Sequence, residues 1–318
     1  MKKVLVVLFL IICLIPSLGM IVLGPSKSGA NEVLAAKPES GPEFFNQCAD
    51  YIADRFAFRQ ELITAWSWIN AKIFNTSVED QVVLGKDGWL YYSSDFADEL
   101  SDEELETIAV NIEAIQKCVE ERGAKFVFTI APDKSSLFTE NLPDGYKTKN
   151  KNAERLREYL NAHSINYVNL FNLSIPYYKT DSHWTDCGAA VVADELLGTD
   201  YASASFYISG KHTGDLYQML FPSLSNNEDR VEYAPGFSFT CEKDPRGGDA
   251  ITINTVNPEK SGTLFCWRDS FGVSLYPYLA ENFGKAEFSR SSDYDVLKTG
   301  DADYVILEIV ERNLEKLL

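Results

Sequence analysis

Two short stretches carry residue types and spacings that suit acyl transfer through a hydroxyl. The first is Asp181-Ser182-His183-Trp184, with an imidazole two residues after a carboxylate; the second is Asp269-Ser270-Phe271-Gly272, where an apolar run gives way to a helix pattern. A serine hydroxyl is a weak nucleophile until a base accepts its proton during attack. His183 is the candidate base, because imidazole titrates near neutrality and a carboxylate on its other nitrogen would fix the tautomer and stabilise the imidazolium. Asp181 is the candidate carboxylate, since a one-residue gap lets both side chains fold to one side of a tight loop. Ser270 is the candidate nucleophile. It follows Thr263 to Trp267, read as a buried strand, and precedes Val273 to Ala280, read as a helix whose start would turn free N–H groups and the positive dipole end toward an oxyanion.

Each piece also has a simpler reading. Asp-Ser-Phe-Gly makes an ordinary helix N-cap, because both side chains satisfy orphan N–H groups. Asp-x-His is half of a metal site, but with only three histidines in the chain little remains to complete one. His163 falls on the helical stripe Leu156, Tyr159, Leu160, His163 and reads as a core-edge residue. His212 lies in a turn-like stretch, Gly210 to Leu216, and is undecided. No metal and no cofactor is expected.

The elements that must position these residues alternate. Ser101-Asp-Glu-Glu104 is a capping box ahead of the stripe Leu105, Ile108, Ile112, Ile115, Val119, which ends at Gly123. Lys125 to Ile130 follows as a strand; Asn152 to His163 then Ile165 to Leu170, and the helix Cys187 to Leu197, repeat the order. Tyr304 to Glu308 reads as the last buried strand. Alternation of this kind implies a parallel sheet flanked by helices, with ligands bound beyond the carboxyl ends of the strands. Lys134, just past such an end, is a candidate substrate contact or a plain surface lysine. Trp184, Arg268 and Asp269 are the other candidate substrate contacts. Residues 201–258 read as an insertion with a hairpin, Phe237 to Cys241 and Ala250 to Val256 across Arg246-Gly-Gly248, of the sort that shapes the mouth of a site. Upstream, Val82-Val-Leu84 and Trp89-Leu-Tyr-Tyr92 flank Gly85-Lys-Asp-Gly88 as a second hairpin. Trp89 and Tyr91 are read as core aromatics, with stacking on a sugar ring as the alternative. The stripe Phe44, Phe45, Cys48, Tyr51, Ile52, then Leu62, Trp66, Ile69, Ile73, predicts two helices broken near Phe56-Ala-Phe58.

A chain of 318 residues can hold one large α/β domain, and its formal charge of −18 argues against nucleic acid, whose phosphates need a basic surface. A neutral or weakly charged glycan fits better. Met1-Lys-Lys3 and the apolar run Val4 to Gly24 are long enough for a membrane span of about 20 residues. An uncleaved anchor over 1–24 is preferred to a cleaved signal peptide, with 25–41 as a linker and 42–318 as the exported domain. Six cysteines are scattered without CxxC spacing, so zinc is not expected; Cys118, Cys187 and Cys266 read as buried thiols.

Asp181-x-His183-Trp184 followed by Arg268-Asp269-Ser270-Phe271-Gly272 resembles the DHHW branch of the SGNH-hydrolase-like proteins, the group of the alginate O-acetyltransferases AlgX and AlgJ. Tyr51 to Arg59, Gly85 to Tyr92, Ala131 to Lys134, Thr213 to Leu216 and Val310 to Asn313 look like stretches of that family, in its order. The resemblance implies an SGNH-like α/β fold with motifs permuted relative to ordinary SGNH hydrolases, in which the serine comes first. It implies acetyl transfer to a cell-envelope or secreted polysaccharide, with Ser270 forming the acyl-enzyme, His183 acting as base and then acid, and Asp181 orienting it. Arg268 stands where many SGNH enzymes carry the Gly of Gly-Asp-Ser, so their oxyanion arrangement does not transfer. A multi-spanning membrane acyltransferase would bring the acetyl group, because acetyl-CoA is not available outside the membrane. An acetyl esterase with the same triad and a non-catalytic glycan-binding scaffold are the alternatives.

Overall fold

The computed structural model describes residues 2–26, 34–96, 98–146, 152–243, 245 and 250–318. Its centre is a seven-stranded sheet in the order Tyr167–Val168, Lys125–Ala131, Tyr304–Val310, Thr263–Trp267, Lys285–Ser289, Thr252–Val256, Thr240–Cys241. The first five strands run parallel. The last two join antiparallel, so the sheet is mixed rather than purely parallel. The antiparallel pair matches the expected hairpin strands of the 201–258 region and extends the main sheet; the Arg246-Gly-Gly248 stretch expected to turn between them lies outside the described residues. Lys285–Ser289, with its charged and polar KAEFS pattern, escapes a search for apolar runs, yet it lies between two strands of the sheet.

Both faces are covered, which is why the central strands are almost continuously apolar. Alternate side chains point to opposite faces. Val127, Cys266 and Ile306 pack with residues of the helices Asp186–Leu197 and Gly272–Ala280, while Phe128, Trp267 and Leu307 pack with residues of Asp102–Glu120 and Asn152–Ala162. The Asp102–Glu120 helix starts as its sequence dictates: Ser101 Oγ accepts from Glu104 N at 3.2 Å and Glu104 Oε2 accepts from Ser101 N at 2.7 Å. Of the three thiols expected in the core, Cys266 is buried, Cys187 half-buried and Cys118 exposed, because Cys118 falls off the apolar stripe of its helix. The upstream hairpin pairs Val82–Leu84 with Leu90–Tyr92. Tyr91 is fully buried, its hydroxyl donating to Phe138 O at 2.7 Å, whereas Trp89 is half-buried and stacks on Phe138.

Residues 2–23 form a helix whose segment Val4–Leu23 is long and apolar enough to cross a membrane. Two helices follow, Phe44–Ala53 and Arg59–Ile69, broken at 54–58 with Phe58 in the left-handed region at φ 66°.

Candidate active site

Three neighbouring parallel strands deliver the site at their carboxyl ends. Lys125–Ala131 runs into Asp133 and Lys134, Tyr304–Val310 into Glu311, Arg312 and Asn313, and Thr263–Trp267 into Arg268, Asp269 and Ser270. A cleft of about 740 Å³ opens there, lined by Ser182, His183, Asp215, Ser270, Arg312 and Asn313 among others. It lies where doubly wound folds bind ligands.

Asp181 and His183 sit on a tight loop closed by a bridge between Tyr177 and Trp184 and by Tyr178 N donating to His183 O at 3.2 Å. Asp181 Oδ1 lies 2.7 Å from His183 Nδ1 and also accepts from His183 N at 3.0 Å. Among the described residues, His183 Nε2 is buried with no hydrogen-bond partner. An imidazole held by a carboxylate at Nδ1 and unpartnered at Nε2 is in the tautomer a general base requires. Burial works against protonating His183, but the hydrogen bond to Asp181 and the charges of Asp181 and Asp215 outweigh it, and its pKa is raised. Burial likewise opposes ionisation of Asp181, yet the hydrogen bonds from His183 and His212 hold its carboxyl well below the usual range.

Two residues of this network are given no role by the sequence. His212 Nε2 lies 2.8 Å from Asp181 Oδ2, with its ring stacked on Tyr178 at 4.0 Å. Asp215 donates its backbone N–H to Asp181 Oδ2 at 3.1 Å and accepts from Ser182 N and Ser182 Oγ at 2.8 and 2.6 Å. Both belong to the 201–258 region: His212 ends the strand Phe206–His212, paired with Glu228–Tyr233, and Asp215 begins the helix Asp215–Leu220. The turn between them presses on the Asp181 loop so closely that a Cβ on Gly214 would lie 2.1 Å from Thr180 O. That glycine was the local signal available in the sequence.

The other expected contacts resolve differently. Lys134 is neither a surface lysine nor part of the cleft lining; it is fully buried, and its ammonium donates to the carbonyls of Tyr178, Lys179 and Asp181 at 3.3, 3.2 and 2.5 Å. It clamps the Asp181 loop, and its burial lowers its pKa to about 8. Trp184 is buried too, and its Nε1 donates to Ser274 Oγ at 2.8 Å, tying the imidazole loop to the helix after Ser270. Arg268 lines the cleft and donates to Ala250 O at 2.7 Å. Asp269 organises the turn: Oδ1 accepts from Phe271 N at 2.9 Å, and Oδ2 accepts from Val310 N at 2.8 Å and, more loosely, from Asn313 Nδ2 at 3.4 Å.

Ser270 is half-buried in the cleft lining. The helix Gly272–Ala280 has Phe271 at its N-cap position with no side-chain cap, so Ser270 is not the capping residue of the simpler reading. The expected free amides are partly spoken for: Phe271 N donates to Asp269 and Val273 N to Ser270 O. From the cleft lining, Arg312 joins the buried Asp133 and Asp95 at 2.7 and 3.3 Å, locking two strand ends together. His163 is satisfied away from the site, between Glu113 and Glu106 at 2.7 and 3.0 Å. Asp181, His183 and Asp215 offer ligand atoms within 4.8 Å of one another, a set chemically able to hold a cation. Using Nδ1 for a metal would break the 2.7 Å contact with Asp181.

Comparison with known proteins bears on this arrangement. Residues 82–205 match the family model described as an SGNH hydrolase-like domain, acetyltransferase AlgX. The probable alginate O-acetylase AlgJ of Pseudomonas syringae pv. tomato is 28% identical over 45% of this chain and 39% of its own length, and that of Pseudomonas putida 29% over 41% and 36%. The chain thus spans about two fifths of the length of these curated relatives. Bacillus cereus PatB1, solved with a sulfonyl adduct, superposes with a TM-score of 0.59 at 18% identity, covering 73% of this chain and 95% of that one. The O-acetyltransferase domain of Pseudomonas putida AlgJ gives 0.51 at 18% identity over 74% and 92%, and a DHHW family protein of Eubacterium siraeum 0.53 at 14% over 74% and 97%. Residues 82–205 are thus similar to the SGNH hydrolase-like domain of AlgX, and the chain shares the α/β fold of the AlgJ and DHHW-protein structures.

Proposed function

We propose that this protein is an O-acetyltransferase that modifies a cell-envelope or secreted polysaccharide through a Ser270 acyl-enzyme. The observation that carries the reading is the Asp181–His183 pair with its buried, unpartnered Nε2, in one cleft with Ser270. In the first half-reaction Ser270 Oγ attacks the acetyl carbonyl of the donor while His183 Nε2 takes its proton. Collapse of the tetrahedral intermediate breaks the donor's C–O bond, and His183 returns the proton to the departing oxygen. In the second half a sugar hydroxyl gives its proton to His183 and attacks the acetyl carbon, and Ser270 leaves with that proton. Asn313, in the cleft lining and only loosely bonded to Asp269, would be one side-chain donor to the oxyanion. The kinship with AlgX and AlgJ supports a polysaccharide acceptor. The apolar helix Val4–Leu23 would hold the domain, on the outer side, to the membrane and to a multi-spanning acyltransferase that supplies the acetyl group. Residues 1–24, 25–41 and 42–318 are then anchor, linker and catalytic domain.

The test is product analysis. The full chain, given an activated acetyl ester and a panel of envelope oligosaccharides, should yield O-acetylated sugar in preference to acetate, and Ser270→Ala should yield neither. Acetate alone across the panel identifies an esterase. Neither product, with no adduct on Ser270, identifies a glycan-binding scaffold.

A further inference from the structure

The helix Arg59–Ile69 is patterned inside out. Its buried residues are polar, Thr64 and Ser67, and Thr64 Oγ1 meets Ser223 N and Oγ at 3.0 and 2.9 Å. Its apolar stripe faces away from the domain: Leu62 is 52% exposed, Trp66 59% and Ile69 37%, and the stripe continues through Ile73 at 65% and Phe74 at 63%. The sequence period foretold this stripe, and the structure turns it outward. The preceding helix, Phe44–Ala53, buries none of its residues and exposes Phe45 at 82% and Ile52 at 49%. A helix of a soluble domain does the reverse, and an outward apolar surface of this kind marks an interface.

We propose that this two-helix surface rests in the headgroup and upper acyl region of the lipid bilayer. The occupant follows from what the surface adjoins. The apolar helix Val4–Leu23, long enough to cross a bilayer, reaches the break between the two helices, where Gly19 packs so closely that a Cβ would lie 2.7 Å from that of Ala57. Just past it, Ser26 N donates to Arg55 O at 3.0 Å, and Asp54 and Arg55 hold the two polar atoms of Ala35 at 2.6 and 2.9 Å. The chain leaving the apolar helix is thus fastened to the break, and both outward faces start at the level where that helix ends. Trp66, Trp68 and Phe45 are the residue types that favour the membrane interface. Thr64 in turn packs on the segment after Asp215–Leu220, the helix that carries Asp215, so lipid contact would set the orientation of the cleft toward the membrane. The proposal rests on the apolar helix entering the bilayer, and not on the chemistry of Ser270.

The five tryptophans make the test. The full chain is reconstituted in phosphatidylethanolamine–phosphatidylglycerol vesicles with and without lipids brominated near the headgroup end of the acyl chain, and tryptophan fluorescence is read. Trp184 and Trp267 are buried and serve as internal controls. Brominated lipid should quench the wild type, the Trp66→Phe, Trp68→Phe double variant should lose most of that quenching, and adding Phe45→Trp to the double variant should restore it. Quenching in the wild type no greater than in the double variant would overturn the proposal, and so would a failure of the full chain to associate with vesicles. A face reserved for a protein partner gives that same unquenched result in protein-free vesicles.

Discussion

Replacing His212 with alanine removes one of the donors that hold the Asp181 carboxylate. Among the described residues, Oδ2 then keeps only Asp215 N at 3.1 Å, while Oδ1 keeps His183 Nδ1 and its backbone N–H at 2.7 and 3.0 Å. A hydrogen bond to a charged group contributes about 1.5–3 kcal/mol. If that is lost in the step that creates the imidazolium, kcat falls by about 10- to 150-fold, since each 1.36 kcal/mol is tenfold. The remaining donors keep the carboxylate in place, so the loss should stay well short of that for Ser270→Ala. The assay is steady-state hydrolysis of an activated acetyl ester, with kcat and KM separated. KM should change little, because His212 lies behind Asp181 rather than in the cleft lining. His212→Gln, whose amide can donate from nearly the same place as Nε2, should recover part of the loss. Activity of His212→Ala within twofold of wild type, or a glutamine variant no better than alanine, would refute the reasoning. The sequence alone leaves this residue undecided; its contact with Asp181 is what brings it into the network.

The remaining expectations are more direct. Because the base works as neutral imidazole and its pKa is raised, activity should rise with pH through a limb above the ordinary imidazole value, and Asp215→Asn, which removes one of the raising charges, should move that limb to lower pH. Lys134→Met strips three loop carbonyls of their donor and should cost about 3 kcal/mol by chemical denaturation. A change under ~1 kcal/mol would mean that the clamp adds nothing net. Trp184→Phe cuts the link to Ser274 and should lower kcat with little effect on KM, read on the same ester. Dialysis against a chelator should leave activity intact; loss restored by a divalent cation would reassign Asp181, His183 and Asp215 as ligands.

How far the sequence could be read depends on the range over which each feature is determined. The capping box at Ser101 and the hairpin at 82–92 are set within a few residues, and both form as their patterns dictate. Asp181 and His183 belong to this class, since one tight loop brings them together. His212 and Asp215 reach Asp181 from 31 and 34 residues away, through strand pairing that no local period encodes. Lys134 reads in the sequence as a substrate contact or a surface lysine because its partners are backbone carbonyls, which leave no mark there. The stripe Leu62, Trp66, Ile69, Ile73 shows the same limit. A helical period establishes that an apolar face exists, not whether protein or lipid covers it.

The central claim is that Ser270 Oγ carries the acyl group, and trapping that intermediate tests it most directly. The full chain is mixed with an activated acetyl ester, quenched in acid within the first turnover, digested and mapped by mass spectrometry. The account predicts a single acetyl group on the peptide containing Ser270, absent in Ser270→Ala and strongly reduced in His183→Ala. A sulfonyl fluoride, reacting at the same oxygen, should block its formation. An acetyl group on another residue, or turnover in folded Ser270→Ala at the wild-type rate, would contradict it.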